Sequence, residues 1–277
     1  MIDLHSHTTA SDGLLSPAAL LDAAAAAGLT VLAITDHDTI AGYLEAQCLP
    51  GRRTFELVSG IEISAVHDGR DLHVLGYFVD PSSSTLTSFL ERQRSDRRRR
   101  ICEMTDRLQS LGYPIDPQSI LDAAERGRSV GRPQMADALI ASGHVRTRDE
   151  AFERFLEHGK AAFVPRRGAT PGEVVRIIHG AGGVASLAHP GVYGCDHLID
   201  SLAADGLDAI EVHHPDHDEI AESRYRQTAA RLALLVTGGS DFHGTTAHGA
   251  SSPGLVTLPE PDYARLRERA MQHRTRL

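Results

Sequence analysis

The chain has 277 residues, of which 41% are apolar, and a formal net charge of −9. No apolar run approaches the roughly 18 residues of a membrane span, and 25 glycines and 13 prolines exclude a collagen-like or largely disordered chain. We therefore expect one large globular domain. The N-terminus shows no basic region followed by an apolar stretch, which predicts a cytoplasmic location without a membrane partner. Cysteines 48, 102 and 195 fit no paired spacing, so we expect no disulfide and no cysteine-based zinc site.

Short apolar and β-branched runs alternate with helix-like stretches, a pattern typical of a parallel α/β sheet or barrel. We predict seven strands, at residues 2–4, 30–34, 56–63, 72–78, 183–188, 208–212 and 233–237. Between the first two strands, Ser16 suits a helix N-cap and Pro17 a first helical position, and Gly28 ends the helix. This segment therefore predicts a βαβ crossover.

About a hundred residues separate the fourth and fifth strands, far more than a crossover helix requires. We predict a helical subdomain at residues 101–167, entered by an arginine-rich helix near 88–111 and inserted into a barrel made of residues 1–100 and 168–277. Residues 91–168 contain 16 basic and 12 acidic residues, a net charge of +4, whereas the remainder contains 12 basic and 25 acidic residues, a net of −13. This asymmetry predicts a cationic patch beside an acidic body. We interpret arginines 97–100 as a solvated helix face.

Histidine and carboxylate side chains recur where the predicted strands end. The nine candidate metal ligands are His5, His7, Asp12, His37, Glu62, His73, His189, Asp241 and His243. Because the carboxyl ends of parallel strands meet at one rim, we expect these side chains to converge there. Six imidazoles and three carboxylates favour manganese, zinc or iron over magnesium or calcium. If Glu62 bridges, the set can hold two or three ions with positions left for water and substrate.

Other residues are candidates for handling the substrate. His213, at the end of the sixth strand, is a candidate general acid, or alternatively a residue that orients a ligand. Guanidinium groups bind phosphate in a bidentate manner. Because the predicted insertion is rich in arginine, we expect it to bind the phosphate of the substrate. The candidates there are Arg128, Ser129, Arg132, Lys160, Arg166 and Arg167. Three aromatic residues could stack on a base or lie in the core, namely Tyr113, Phe163 and Tyr193.

The stretches DLHSHT at 3–8, SDG at 11–13, TDHD at 35–38, GIE at 60–62, AHP at 188–190 and SDFH at 240–243 resemble the PHP (polymerase and histidinol phosphatase) family. The resemblance implies a distorted (β/α)7 barrel with a trinuclear centre that hydrolyses phosphoesters. It implies one ion held by His5, His7, Glu62 and Asp241, a second by Glu62, His73 and His189, and a third by Asp12, His37 and His243. The stretch VGRP at 130–133 resembles the stand-alone branch, which includes 3′,5′-nucleotide bisphosphate phosphatases and exonucleases on 5′-phosphorylated oligonucleotides. Gln134 departs from this pattern, because the branch predicts histidine there.

We therefore expect a metal-dependent phosphomonoesterase that removes the 3′-phosphate of a 3′,5′-nucleotide bisphosphate by attack of metal-bound hydroxide, with manganese as the first candidate metal. The alternatives are a 5′-3′ exonuclease on short 5′-phosphorylated oligonucleotides, a histidinol-phosphate-type phosphatase, an amidohydrolase-type deaminase and a non-catalytic metal-stabilised module. Many amidohydrolases carry a metal-bridging lysine on a barrel strand, whereas the only lysine here, Lys160, lies in the insertion. A long nucleic acid is not expected as a partner, because the body is acidic.

Overall fold

The computed structural model describes residues 1–49, 55–244 and 250–275. One sheet contains seven strands in chain order: β1 (Ile2–Asp3), β2 (Val31–Ile34), β3 (Glu56–His67), β4 (Arg70–Tyr77), β5 (Val184–Leu187), β6 (Ala209–His213) and β7 (Leu235–Gly238). The Leu4 amide donates to the Gly238 carbonyl at 3.3 Å, and a parallel bridge joins Ser6 to Phe242. These contacts bring the first and last strands together, which confirms the predicted distorted seven-stranded α/β barrel.

Strand β4 differs from the expected parallel arrangement, because it runs antiparallel to both of its neighbours. It forms a hairpin with β3 through Asp68 and Gly69, whose φ angles of 48° and 75° are both left-handed. An Asp-Gly turn of this kind matches the twist of the paired strands. The reversal places His73 opposite Ser64, two residues beyond Glu62 on β3. His73 therefore reaches the same rim from the first half of its strand.

Eleven α-helices are described: α1 (Pro17–Ala26), α2 (Ala41–Gln47), α3 (Ser84–Ser110), α4 (Gln118–Glu125), α5 (Arg132–Ala141), α6 (Arg148–Ala151), α7 (Pro171–Gly180), α8 (Pro190–Tyr193), α9 (Ile199–Ala204), α10 (Glu219–Leu232) and α11 (Glu260–Arg274). A π-helical turn (Phe152–Leu156) follows α6, and a short 3-10 turn (Asp196–Leu198) precedes α9. The predicted cap of α1 is formed, since Ser16 Oγ accepts from the Ala19 amide at 3.2 Å. Among the described helices, none is long and apolar enough to cross a bilayer.

A second hydrophobic core lies beside the barrel core, and its buried residues all fall between positions 101 and 164. Helix α3 contributes to both cores. Leu86, Phe89 and Leu90 in its first half pack with the barrel strands, whereas Ile101 and Met104 pack with the second core. The change from one core to the other occurs within α3, between residues 90 and 101. We therefore propose residues 101–167 as the inserted subdomain.

The interpretation of arginines 97–100 as a solvated face was wrong for two of them. Arg97 and Arg100 share the inward side of α3 and are 6% and 2% exposed. Arg97 donates to Asp38 Oδ2 through Nε at 2.8 Å and Nη2 at 2.6 Å, and Arg100 Nε donates to the Val164 carbonyl at 3.0 Å. Burial of a guanidinium is tolerated where an anion or carbonyl oxygen receives it. These contacts could not be predicted from the sequence, because Asp38 and Val164 are both distant from α3 in the chain.

We predict that Arg97→Ala lowers the free energy of unfolding by about 3–5 kcal/mol, because Asp38 would keep a buried charge without this partner. Arg98→Ala is the matched control, since Arg98 lies on the same helix, is 49% exposed and reaches Glu125 only at 3.4 Å. The control should cost less than about 1 kcal/mol. Urea unfolding followed by circular dichroism measures both values. Equal costs for the two variants would contradict the assigned role of the Arg97–Asp38 pair.

Candidate metal centre

The strand ends bring all nine predicted ligands to one rim of the barrel. A cavity of about 270 Å³ opens there, and seven of the nine line it: Asp12, His37, Glu62, His73, His189, Asp241 and His243. His5 and His7 lie beneath it and are fully buried. They follow β1 on either side of the Ser6 bridge to Phe242, in an extended stretch where residues two apart face the same side. The convergence expected from the sequence is therefore present.

Glu62 is at the centre of the cluster, and its side chain is 1% exposed. Its Oε2 lies 3.2–3.3 Å from three imidazole nitrogens, and its Oε1 lies 2.8–3.0 Å from two more. The five nitrogens are Nε2 of His5, Nε2 of His7, Nδ1 of His37, Nδ1 of His73 and Nε2 of His189. One carboxylate thus faces two groups of histidines with different oxygens, which is the arrangement of a bridging ligand.

The hydrogen bonds of His5 define which of its nitrogens can bind a cation. Its Nδ1 lies 2.9 Å from Glu211 Oε1, so this nitrogen carries the proton that is donated. Its Nε2 then faces Glu62 Oε2 at 3.3 Å and Asp241 Oδ1 at 3.1 Å. A lone pair facing two carboxylate oxygens requires a cation between them, either a proton or a metal ion. A carboxylate behind a ligating histidine is the usual means of orienting the ring.

His243 repeats this arrangement on the other side of the cavity. Its Nδ1 donates to the backbone carbonyl of Asp241 at 2.8 Å, which leaves the Nε2 lone pair facing Asp12 Oδ1 at 3.4 Å. Several buried atoms of the cluster have no hydrogen-bond partner, namely Nδ1 and Nε2 of His7, Oδ1 of Asp12, Nδ1 of His37, Nδ1 of His189 and Oδ1 of Asp241. Buried polar atoms are rarely left unpaired, so this set of donors and acceptors fits the binding of cations.

The electrostatics of the cluster also favour cations. Burial would raise the pKa values of Asp12, Glu62 and Asp241, but the surrounding imidazoles hold the pKa of each carboxyl well below its usual range. Burial lowers the pKa of His37 to about 3, so its ring is neutral and able to ligate. Burial would also lower the pKa of His7, but Asp241 and Glu62 raise it to about 10. The carboxylates therefore attract a proton or a metal ion to this position.

Backbone conformation at the rim is unusual. His189 and Asp241 adopt left-handed φ angles of 25° and 48°, which cost energy for residues with a side chain and are concentrated at functional sites. Next to them, a Cβ on Gly239 would lie 2.3 Å from the His5 amide nitrogen and 2.8 Å from Asp3 Oδ1. Glycine is therefore required at position 239 for β7 to approach β1 this closely.

These residues fit divalent transition ions. Two ligand atoms about 2.1 Å from one ion and at right angles to each other lie about 3 Å apart, close to the 3.1–3.3 Å nitrogen–oxygen spacings around His5 and His7. Within the described residues, three overlapping groups at the rim have ligand atoms within 4.8 Å of one another. They are His5, His7, Glu62 and Asp241; His7, Asp12, His37 and His243; and His37, Glu62 and His73. The first equals the set implied by the family resemblance, and the second adds His7 to an implied set.

The structure does not bring His213 to the cavity, so its candidacy as general acid is corrected. Its Nδ1 donates to Glu222 at 2.9 Å, and its Nε2 accepts from Arg226 at 2.7 Å, which leaves no proton for a substrate. The neighbouring His214 lines the cavity instead. Its Nδ1 accepts from the Asp216 amide at 3.1 Å, so Nε2 carries the proton and faces Asp241 Oδ2 at 3.3 Å.

Of the predicted phosphate-binding residues, Arg132 and Arg166 lie together. Both contact Asp71, through Arg132 Nη2 at 3.2 Å and Arg166 Nε at 3.4 Å, and Arg166 Nη1 also donates to Asp38 at 3.2 Å. Ser129, three residues before Arg132 in the sequence, is buried, and its Oγ has no hydrogen-bond partner. Arg128, Lys160 and Arg167 are exposed and make no side-chain contact within this group.

Gln134 joins the insertion to the barrel rim. Its Oε1 accepts from the Gly131 amide at 2.7 Å, and its Nε2 donates to the Ser11 carbonyl at 2.9 Å. The Ser129 amide also donates to the Ala10 carbonyl at 2.8 Å. The segment around residues 129–134 is therefore fixed against the loop that carries Asp12. Glutamine at position 134 has a structural role here.

The aromatic candidates divide into two groups. Tyr193 lines the cavity, and its hydroxyl lies 3.1 Å from His73 Nδ1. Tyr113 packs against Phe155 in the second core. Phe163 lies beneath the Arg132 guanidinium at 5.7 Å. Only Tyr193 among the three thus borders the cavity that the described residues form.

Sequence reasoning missed Asp71 and Glu211 as members of the site. Glu211 accepts from His5 Nδ1 and from the His189 amide, at 2.9 and 2.8 Å. The sequence did contain a signal for Glu211, because a glutamate between Ile210 and Val212 in a buried strand needs a polar or charged partner. Asp71 had a weaker signal, namely its position two residues before His73 on one strand face.

Comparison with known proteins agrees with this geometry. Residues 3–167 match the PHP domain family. The chain is 37% identical over 248 residues to a 5′-3′ exoribonuclease from Haemophilus influenzae, covering 87% of this chain and 89% of that protein. It is 32% identical over 263 residues to a 3′,5′-nucleoside bisphosphate phosphatase from Chromobacterium violaceum, covering 93% and 92%.

Among solved structures, a protein from Bifidobacterium adolescentis predicted to be a metal-dependent phosphoesterase is similar with a TM-score of 0.87 and 35% identity. The match covers 97% of this chain and 96% of that protein. The extent of these matches includes both the barrel and the insertion. The chain accordingly belongs to the PHP domain family and is a hydrolase that acts on phosphoesters.

Proposed function

We propose that this chain removes the 3′-phosphate from a 3′,5′-nucleotide bisphosphate and uses divalent ions, with manganese as the first candidate. The nine clustered side chains would hold those ions at the barrel rim. Bound ions lower the pKa of a coordinated water toward about 7 and neutralise charge on phosphoryl oxygens. The observation that carries the bisphosphate assignment is an excess of arginine over carboxylate next to this cavity.

The excess is two positive charges. In the described part of the chain, the four guanidinium groups of Arg97, Arg100, Arg132 and Arg166 have two carboxylates within 4 Å, those of Asp38 and Asp71. Arg100 Nη2 and Ser129 Oγ are buried without a hydrogen-bond partner, and Arg166 Nε reaches Asp71 Oδ1 only at 3.4 Å. Burial, together with the charge of Arg166, lowers the pKa of Arg100 to about 9. A second phosphate would balance this charge and receive these donors.

The arginine cluster and the metal cavity are connected through strand β4. Asp71, which binds Arg132 and Arg166, lies two residues before His73 on β4, and His73 Nδ1 is 2.8 Å from Glu62. The arginine cluster therefore adjoins the metal cavity. We infer that the nine clustered side chains would hold the ions at which the scissile phosphate binds, and that Arg132 and Arg166 hold the other phosphate. Tyr193, at the cavity wall, is positioned to contact the nucleoside between them.

The relative from Chromobacterium violaceum supports this proposal by its name, since it matches nearly the whole chain. A second candidate is 5′-3′ exonuclease activity on short 5′-phosphorylated oligonucleotides, which the Haemophilus influenzae relative supports. In that case the arginine cluster would hold a backbone phosphate and the ions would hold the cleaved diester. Both candidates use the same residues, so substrate comparison is needed to separate them.

The test is release of inorganic phosphate with added Mn²⁺. We expect kcat/KM for adenosine 3′,5′-bisphosphate to exceed that for adenosine 3′-monophosphate, adenosine 5′-monophosphate and histidinol phosphate. A kcat/KM for the monophosphates equal to that for the bisphosphate would contradict the existence of a second phosphate site. Release of mononucleotides from a 5′-phosphorylated oligonucleotide at higher kcat/KM would favour the exonuclease instead.

We assign His214 to protonate the leaving oxygen, because it lines the cavity and its Nε2 carries a proton, which faces Asp241 Oδ2 at 3.3 Å. We predict that His214→Gln lowers kcat by about 10²–10⁴-fold, the usual contribution of a general acid. His213→Gln is the matched control and should keep kcat within about threefold, since His213 faces α10. A substrate with a p-nitrophenol leaving group needs less protonation and should lose less activity in His214→Gln. Equal losses for both substrates would contradict the acid role.

A further inference from the structure

A second basic feature lies outside the metal cavity, in a groove between α3 and α7. The groove has a volume of about 640 Å³. Helix α3 presents Phe89, Arg92 and Gln93, and helix α7 presents Glu173, Arg176 and Ile177, each at i, i+3 and i+4 spacing, which places three side chains on one face. Residues 167–169 complete the lining. We call this feature the α3–α7 groove.

The charge of the groove is unbalanced. Arg92, Arg167 and Arg176 all line it and are exposed. Within residues 1–49, 55–244 and 250–275, none of these three guanidinium groups forms an ion pair. Glu173 is the single carboxylate of the lining, and its Oε2 already accepts from the Thr170 amide and hydroxyl at 2.7 and 2.9 Å. The groove therefore has an excess of two positive charges.

The groove also offers apolar surface between these charges. Ala169 and Ile177 supply half-buried apolar surface to the lining, and the Phe89 ring, 5% exposed, lies beneath it with the Arg92 guanidinium 5.7 Å from the ring centre. Guanidinium groups spaced along apolar surface are suited to a chain that alternates anionic and flat apolar units. A single-stranded nucleic acid has this chemistry, whereas an acidic peptide lacks the flat units.

The groove lies beside the arginine cluster of the proposed site, since a Cβ on Gly168 in its lining would lie 3.5 Å from Arg166 Cδ. Arg167 follows directly after Arg166, which contacts Asp38 and Asp71. Gln93 lines the groove, and its Nε2 donates to the Ser64 carbonyl at 2.7 Å beside the same cluster. A substrate whose phosphate binds Arg132 and Arg166 could thus extend along the protein surface into the groove.

We propose that the α3–α7 groove binds the backbone of a short single-stranded nucleic acid that extends from the active site. This inference rests on the proposed function, because it assumes a nucleotide phosphate at Arg132 and Arg166. It adds a binding surface that a mononucleotide would not occupy. The groove therefore affects oligonucleotides selectively and leaves a 3′,5′-nucleotide bisphosphate unaffected.

The test compares the double variant Arg92→Ala/Arg176→Ala with the matched control Arg98→Ala/Arg231→Ala. Arg98 and Arg231 are exposed arginines that do not line the groove, and they pair with Glu125 and Asp200. The probe is a fluorescein-labelled, 5′-phosphorylated ten-nucleotide RNA with phosphorothioate linkages, whose binding to the metal-loaded protein is followed by anisotropy at several salt concentrations. Binding does not require turnover, so this measurement is independent of the proposed reaction.

We expect the groove variant to weaken RNA binding about tenfold and to lower the slope of log Kd against log salt concentration by about 1.4, or roughly 0.7 for each lost phosphate contact. The kcat/KM for adenosine 3′,5′-bisphosphate should stay within about twofold of wild type. The control should change neither value. An unchanged RNA affinity in the groove variant, or an equal loss in the control, would overturn the proposal.

Two further outcomes separate this proposal from the proposed function. If the wild type binds RNA through the groove but releases no phosphate from any bisphosphate, the proposed reaction fails and the groove assignment stands. If polyglutamate binds the wild type but not the groove variant, while RNA affinity is the same for both, the groove is an acidic-peptide site and our assignment is wrong.

Discussion

Replacing Glu62 with glutamine is expected to release more than one equivalent of metal per chain and to abolish nearly all turnover. Both oxygens of Glu62 face imidazole nitrogens, at 2.8–3.3 Å, so one substitution removes a ligand from two groups. Glutamine keeps the shape of the side chain but removes its charge and places an amide NH₂ where an oxygen stood. Elemental analysis and phosphate release on the same purified sample measure both effects.

The control for this variant is Glu222→Gln, because Glu222 also contacts a histidine, His213, at 2.9 Å but lies outside the cluster. It should retain the metal content and rate of the wild type. If Glu62→Gln also retained both, the assignment of Glu62 as a shared ligand would be wrong. If Glu62→Gln lost a single equivalent of metal and kept full activity, Glu62 would bind only one ion, and that ion would not be needed for turnover.

Replacing Arg132 with alanine is expected to lower kcat/KM for the bisphosphate about ten- to a hundredfold without changing metal content. Removal of a charge-assisted contact to phosphate costs about 1.5–3 kcal/mol. Folding should be preserved, because Arg166 would still neutralise Asp71. Steady-state kinetics on the bisphosphate and the 3′-monophosphate measure the effect, which should be absent for the monophosphate.

Arg148→Ala is the matched control for this prediction, since Arg148 lies in the same insertion and pairs with Asp137 at 2.6 Å. It should leave both substrates unaffected. A wild-type kcat/KM for the bisphosphate in Arg132→Ala would show that the second phosphate binds elsewhere. An equal loss for both substrates would show that Arg132 acts on the scissile phosphate.

Much of the metal cluster could be predicted from the sequence, because the side chains alternate regularly along each strand. His5 and His7 share a face, and Glu62 lies in a buried strand, so their convergence follows from strand geometry. The direction of β4 could not be derived in this way, since its apolar pattern is the same in either direction. The Asp-Gly turn at 68–69 was the local signal that a hairpin forms there.

His214 lines the cavity in place of the predicted His213, and the cause lies in the pairing of β6. Glu211 faces inward to His5, so simple alternation would also point His213 inward. The pairing of β6 with β7 is irregular between Glu211 and His213, which turns His213 toward α10 and brings His214 to the cavity. Such an irregularity adds one residue to the strand and reverses the faces that follow it. The sequence alone carries no reliable signal of it.

The arginine cluster was only partly predictable, for a different reason. Arg132 and Arg166 were identified by their residue type and by the charge of the insertion. Arg97 and Arg100 were taken as exposed, because their burial depends on how α3 packs against Asp38 and Val164, which are distant in sequence. Tertiary packing of this kind is not encoded in local periodicity.

The most direct test of the metal-dependent account is titration of chelator-treated protein with Mn²⁺ while bound metal and phosphate release from adenosine 3′,5′-bisphosphate are measured on the same sample. We predict that metal-free protein is inactive and that activity rises with bound ion until two or three equivalents are reached. Full activity in the metal-free protein, or saturation with metal without any phosphate release, would contradict the account.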